Sequence, residues 1–158
     1  MVFEKAVIAD VRELTALRNA YLQEDSGGME PEALRAVEAG LPGYFAGHLN
    51  DDLVAYVART DGELAACAML LVAEKPMSPA FITGKTGTVL NVYTRPEYRR
   101  RGFARRLMHM LLQDASDRNL SFVELKATED GYGLYKSLGF TDDVSKYHSM
   151  KWHREVER

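Results

Sequence analysis

Residues 87–106 read GTVLNVYTRPEYRRRGFARR. The first eight, GTVLNVYT, are rich in the β-branched and aromatic residues of a strand. Arg95-Pro96 breaks that run. From Gly102 onward, Ala104, Leu107, Met108, Leu111, Leu112 and Ala115 fall on one helical face. The stretch therefore predicts a strand, a short arginine-rich connection and an amphipathic helix. Small residues at Gly102 and Ala104 let the backbone approach a ligand, and first-turn amides of a helix lack intrahelical acceptors. Together with the positive end of the helix dipole they make an anion site, to which flanking arginines add charge-assisted hydrogen bonds. A solvated basic face is the plainer reading of an arginine run. Arginine at a helix N-terminus is electrostatically unfavourable, however, unless an anion is bound there. The segment lacks the lysine-serine/threonine pair of a nucleotide P-loop and the three glycines of a dinucleotide loop. A different phosphate-bearing ligand is expected.

Working outward, residues 3–9 read as a strand ended by Asp10, which with Glu13 has the spacing of a capping box. Val11, Leu14, Leu17, Tyr21 and Leu22 predict a helix over 11–23. QEDSGGME is a loop, and Pro31 opens a second helix towards Leu49 with a break near Leu41-Pro42-Gly43. Residues 53–60 and 63–72, joined by Asp61-Gly62, carry a hairpin signal. Residues 73–86 read as loop, 121–127 as a strand, 131–138 as a short helix ended by Gly139, and 140–152 as one or more closing strands. In that last segment Met150 and Trp152 are expected to bury alternate residues. The order is β-α-α-β-β-β-α-β-α-β. It predicts an α/β (α+β) domain over residues 1–158, with a mixed, mostly antiparallel sheet of six to seven strands and about four flanking helices.

The chain has 158 residues, 46% hydrophobic and 27% charged, and a single cysteine, Cys67. That is one globular domain with no internal disulfide and no cysteine-based zinc site. Its start, MVFEKAVIAD, does not read as a signal peptide, and no apolar run is long enough to span a membrane. A cytoplasmic location is expected. Residues 95–106 hold six arginines and one acid; against a net −3, this local +5 leaves −8 on the other 146 residues. A compact cationic spot on an acidic body suits a small polyanion and argues against nucleic acid as a partner. The four histidines lie too far apart for a metal pattern, so no metal is expected.

Arg99-x-x-Gly102-x-Ala104, after the strand 89–94, resembles the acetyl-CoA motif of the GCN5-related N-acetyltransferases. A second segment, Gly131-Tyr132-Gly133-Leu134-Tyr135-Lys136-Ser137-Leu138-Gly139-Phe140, is similar to that family's leucine-tyrosine…glycine-phenylalanine signature, at the expected distance. The resemblance covers roughly residues 3–152 and implies acetyl-CoA as co-substrate and a primary amine as acceptor, the two meeting in a ternary complex. It implies that Arg99 and the backbone of Arg100, Arg101, Gly102, Phe103, Ala104 and Arg105 hold the CoA pyrophosphate. Val92, Tyr93 and Thr94 would pair with the pantetheine arm, one of their amides polarising the thioester carbonyl. Tyr135 would protonate the departing thiolate; a tyrosine packed into the core is the bland alternative.

Two departures stand out. Thr128 occupies a position where many relatives carry a CoA-contacting asparagine. The motif strand has no acid to act as base, and Asn91 cannot serve as one. On the acceptor side, residues 24–32 hold four acids and no basic residue. Glu24 is the candidate base or amine anchor, although solvated helix-end acids are the plainer reading. Tyr44, Phe45 and His48 could line the same side or simply pack. Cys67 reads as a small core residue, without excluding an acceptor-side role. The acceptor, a small molecule or peptide, is not named by the sequence. A non-catalytic acyl-CoA-binding or regulatory domain is the alternative reading, and a homodimer stays open because dimers are common in the family.

Overall fold

The computed structural model describes residues 1–155. Two compact units divide the chain, Met1–Lys126 and Ala127–Arg158. The first contains β1 (Val2–Lys5), α1 (Val11–Ser26), α2 (Pro31–His48), β2 (Leu53–Thr60), β3 (Glu63–Glu74), β4 (Lys85–Thr94), α3 (Phe103–Asp117) and β5 (Val123–Glu124). The second contains α4 (Glu129–Ser137). Single turns of 3-10 helix precede α1 at Ile8–Asp10 and follow β4 at Pro96–Tyr98.

The five strands form one sheet in the order β1-β2-β3-β4-β5, antiparallel except for the β4–β5 pair. Asp61 and Gly62, at φ 49° and 78°, make the two-residue turn between β2 and β3 that their sequence calls for. Both faces of this central hairpin are buried. Ala55, Val57, Cys67 and Met69 pack with Leu14 and Leu17 of α1 and Phe45 of α2. On the other face lies α3, whose Leu107, Met108, Leu111 and Ala115 are buried. Gly87 is where β4 meets its neighbours most closely. A Cβ there would stand 2.7 Å from Leu70 Cδ1 and 3.0 Å from Leu120 Cδ1.

Several expectations change. The sheet has five strands among the described residues, not six to seven. Residues 140–152 form no strand, and Met150 and Trp152 are exposed. The physical reason is spacing: Val144, Tyr147, Met150 and Trp152 lie three, three and two residues apart, so they cannot share one face of a strand. The strand over 121–127 shrinks to two residues. Helix α2 runs unbroken through Pro42. Asp10 and Glu13 make no reciprocal cap of α1. Asp10 accepts from Val7 N (2.9 Å) and pairs with Arg59, while Glu13 Oε2 accepts from Leu64 N at 2.8 Å.

One polar group is sunk into the α3 side. Tyr56, 1% exposed, donates its hydroxyl to Asp114 of α3, which also meets Lys5 Nζ (3.2 Å) and Arg118 Nε (3.1 Å). Burial and the Asp114 carboxylate push the tyrosine pKa up. For Asp114, burial opposes the charge, but the hydrogen bonds from Tyr56, Arg118 and Lys5 outweigh it and lower the pKa. Its contribution is therefore complete above the unfolded carboxyl pKa of about 3.9 and fades as pH falls through the lower folded value. Asp114→Asn should reduce unfolding free energy at pH 7 by about 1–3 kcal/mol. Urea denaturation should find a smaller deficit at pH 3, and an equal deficit at both pH values would contradict the assignment.

Candidate active site

Strand β4 carries one residue too many. Its partner β3 pairs Met69 with Leu90 and Cys67 with Tyr93, so Ala68 alone opposes Asn91 and Val92. Asn91 sits at φ 52°, a left-handed conformation that asparagine tolerates better than most residues. The consequence is a change of parity. Before the bulge, Gly87 N–H points towards β5 and donates to Phe122 O at 3.0 Å. After it, Arg95 N–H points to β3 and donates to Ala65 O at 2.9 Å, which turns the amides of Val92 and Thr94 towards the β5 side. Strand β5 pairs with β4 only at Gly87 and Thr88. The outer edge of Val92 to Thr94 is thus open to an extended ligand.

That edge leads to the start of α3. Arg100 and Gly102 lie at φ 63° and 77°, curling the backbone, and Gly102 is the N-cap residue. Arg106 N–H to Gly102 O, 3.1 Å, is the first helical bond, so the amides of Phe103 and Ala104 stand ahead of the ladder. No acid occupies the first turn. The geometry suits an anion at the mouth of the helix.

The arginines divide their work. Arg95 Nε donates to Leu64 O (2.8 Å), Arg106 lies 4.0 Å over the Phe3 ring, and Arg101 lies 5.5 Å over Tyr98. Arg99 Nε donates to Thr94 O (2.9 Å) and its Nη2 pairs with Glu24 Oε2 at 2.8 Å. Its cation also stands 5.5 Å over Tyr93. Arg100, Arg101 and Arg105 are exposed at the helix mouth. The +5 cluster therefore braces the strand-to-helix connection as well as charging it.

On the α1 side of β4, Glu24 lies in the last turns of α1, which extends to Ser26. The hydrogen bond from Arg99 holds the Glu24 carboxyl below its usual pKa, with Tyr93 assisting. Burial and Glu24 together raise Tyr93. Phe45 is core, while Tyr44 stacks on His48 with centroids 4.4 Å apart and His48 Nδ1 meets Asp52 at 2.7 Å. Cys67 is wholly buried, bonded to Asn91 O and Asn91 Nδ2, each at 3.3 Å. Asn91 Oδ1 in turn accepts from Arg18 Nη1 at 3.4 Å.

Within the second unit, Thr128 is the N-cap of α4, its hydroxyl accepting from Gly131 N at 3.2 Å. Tyr135 packs edge-on to Phe140, centroids 5.9 Å apart. Its ring lies so close to Gly131 that a Cβ there would stand 2.8 Å from Tyr135 Cε2.

The family described as Acetyltransferase (GNAT) family matches residues 14–140, which takes in β4, the α3 mouth and α4. The chain belongs to the GNAT acetyltransferases. Among solved structures, it is similar to a predicted acetyltransferase of Clostridium acetobutylicum determined with acetyl-CoA. That match has 27% identity, 95% coverage of each chain and a TM-score of 0.83. A GCN5-related N-acetyltransferase of Ralstonia eutropha JMP134 matches at 26% identity, 94% and 97% coverage and TM-score 0.80. The ribosomal-protein-alanine N-acetyltransferase of Brucella melitensis biovar Abortus 2308, at 24% identity, covers 96% and 100% with TM-score 0.67 and shares the fold. No curated protein matches the chain.

Among the described residues no helix is long and apolar enough to cross a membrane, and no three His, Cys, Asp or Glu side chains group as a metal site. Sequence reasoning passed over Arg18 altogether and treated Asn91 only as a failed base. The one signal available is an asparagine between the apolar Leu90 and Val92 of the strand. Cys67 lies beside the bulge yet is poorly suited to carry an acyl group, since burial pushes its thiol up to about 11. Native protein at pH 8 should resist iodoacetamide and label fully once unfolded in urea. Rapid labelling of the native form, read by intact mass, would show the thiol to be accessible.

Proposed function

We propose that this GNAT protein transfers the acetyl group of acetyl-CoA directly to a primary amine, with both substrates bound at once. The observation that carries the reading is the open β4 edge, its amides turned outward by the bulge and running into the α3 mouth. Val92 N–H is the donor for the thioester oxygen, where negative charge develops as the amine nitrogen attacks. Tyr93 and Thr94 continue the strand-like contact with the pantetheine arm. The backbone from Arg100 to Arg105, with Arg99 bracing it, receives the pyrophosphate.

The reaction forms a C–N bond and breaks the C–S bond. The amine must attack neutral, and the departing thiolate needs a proton, the role the resemblance gives to Tyr135. Glu24, kept ionised by Arg99, suits attraction of the amine better than proton abstraction. No acid lies on β4, so the amine loses its proton to water or to a more distant group. A non-catalytic acyl-CoA-binding domain is the second reading. The capping role of the Thr128 hydroxyl favours it, because that hydroxyl is already engaged within its own helix.

Thiol release from acetyl-CoA across an amine panel, with product mass, tests the proposal; tight acetyl-CoA binding without release of thiol on any amine would favour the second reading. Tyr135→Phe should cut turnover by about 100-fold or more with little change in acetyl-CoA affinity. Gly131→Ala, by displacing the Tyr135 ring, should lower turnover on the order of 10- to 100-fold. Unchanged turnover in both variants would remove Tyr135 from the mechanism.

A further inference from the structure

Arg18 is the cation of α1 that reaches the bulge of β4. The residue is part-buried, and its one hydrogen bond among the described residues is the long contact to Asn91 Oδ1 at 3.4 Å. No carboxylate of a described residue lies within ion-pair distance of it. Of the acids on this side, Glu24 pairs with Arg99 and Asp52 with His48. Removing a guanidinium from water without a counter-charge is unfavourable. A neutral side chain would serve the contact to Asn91 as well. The charge itself therefore calls for a partner that comes with the ligand.

The position of Arg18 says which ligand. Asn91, which it touches, immediately precedes Val92, whose amide faces the proposed carbonyl position. Arg18, Tyr21 and Asp25 follow one stripe of α1 at spacings of three and four residues. Tyr44 of α2 also lies close enough to feel the Arg18 charge; burial raises both tyrosines, and Arg18 acts against that rise. Asp25 is exposed on the same stripe and has no ion-pair partner among the described residues. This stripe of α1 thus carries a cation beside the bulge and an anion further along the helix, with Tyr21 between them.

We infer that Arg18 is a specificity-determining residue that receives a carboxylate on the amine acceptor, so that the acceptor is an α-amino acid or a close relative of one. The inference rests on the transferase reading above and names the substrate class of that same site. The planar guanidinium offers two parallel donors to a carboxylate, a fit that a lysine would not reproduce. In an α-amino acid one carbon separates carboxylate from amine. A carboxylate on Arg18 would therefore set the nitrogen a short step from the thioester carbon whose oxygen faces the Val92 amide.

The experiment compares α-amino acids with their own primary amides as acceptors, in the wild type, Arg18→Gln and Arg18→Lys. Arg18→Gln keeps a donor for Asn91 while removing the charge. The expected result is a kcat/KM for the acid at least 10-fold above its amide, falling to near parity in Arg18→Gln and recovering only in part in Arg18→Lys. Acetyl-CoA affinity should be unchanged in all three. Equal use of acid and amide by the wild type, or a preference that survives Arg18→Gln, would overturn the assignment. A binding arm needs no turnover: calorimetry of N-acetylalanine and N-acetylalaninamide with the CoA-loaded protein. Tighter binding of the acid, lost in Arg18→Gln, supports Arg18 as the carboxylate receptor even if no amine is acetylated, in which case only the transferase reading fails. Equal binding of the two overturns the Arg18 assignment whatever the turnover.

Discussion

One inserted residue governs this molecule. With Asn91 at positive φ, strand β4 carries two residues against one of β3, and every amide beyond that point faces the opposite way. Without the bulge, Val92 would donate into the β3 ladder and its amide would be spent on the fold. With it, Arg95 closes the ladder on Ala65 and the Val92 amide turns outward instead. A backbone donor buried on one side and open on the other is held more rigidly than a side chain could hold it. It needs no reorganisation when charge develops against it. The Cys67 and Asn91 contacts fix the extra residue from within the core, so the geometry of the open edge is anchored in the packing of the sheet.

The short β5 completes this design. A full-length fifth strand would pair with the outward amides and erase the site. Pairing that stops after Thr88 leaves the upper half of β4 exposed to a ligand that behaves as a strand substitute. Gly87 makes the lower half possible, since only a glycine lets Leu70, Leu120 and Val123 close over that position. Tight closure below and an open edge above are two results of one strand meeting its neighbour unevenly.

Much of this was legible in the sequence where the governing interactions are local. The β2–β3 hairpin follows from Asp61-Gly62, and the anion-binding helix mouth follows from the small residues at 102 and 104 with no acid in the turn. Such features are fixed by a few adjacent residues and their backbone preferences. The bulge was not legible, because asparagine rather than glycine takes the left-handed position and nothing adjacent announces it. Asp10 and Glu13 misled for the same reason in reverse. Their spacing is that of a local cap, but Arg59 and the Leu64 amide, far along the chain, take their carboxylates. The closing strands were expected from apolar residues in 140–152 whose spacing fits no strand face.

The same distinction separates the two halves of the site. In the proposed reading, donor recognition uses backbone amides of one contiguous segment, which a sequence motif can record while acceptors differ. The acceptor side, as inferred, draws on α1, α2 and β4, and its Arg18–Asn91 contact joins residues 73 apart in the chain. A single cation in an amphipathic helix carries no signal on its own. It acquires meaning only when the fold brings it, with no ion-pair partner among the described residues, beside the bulged residue Asn91. Selectivity in such a domain can therefore change by a single substitution on α1 without disturbing the phosphate grip at α3.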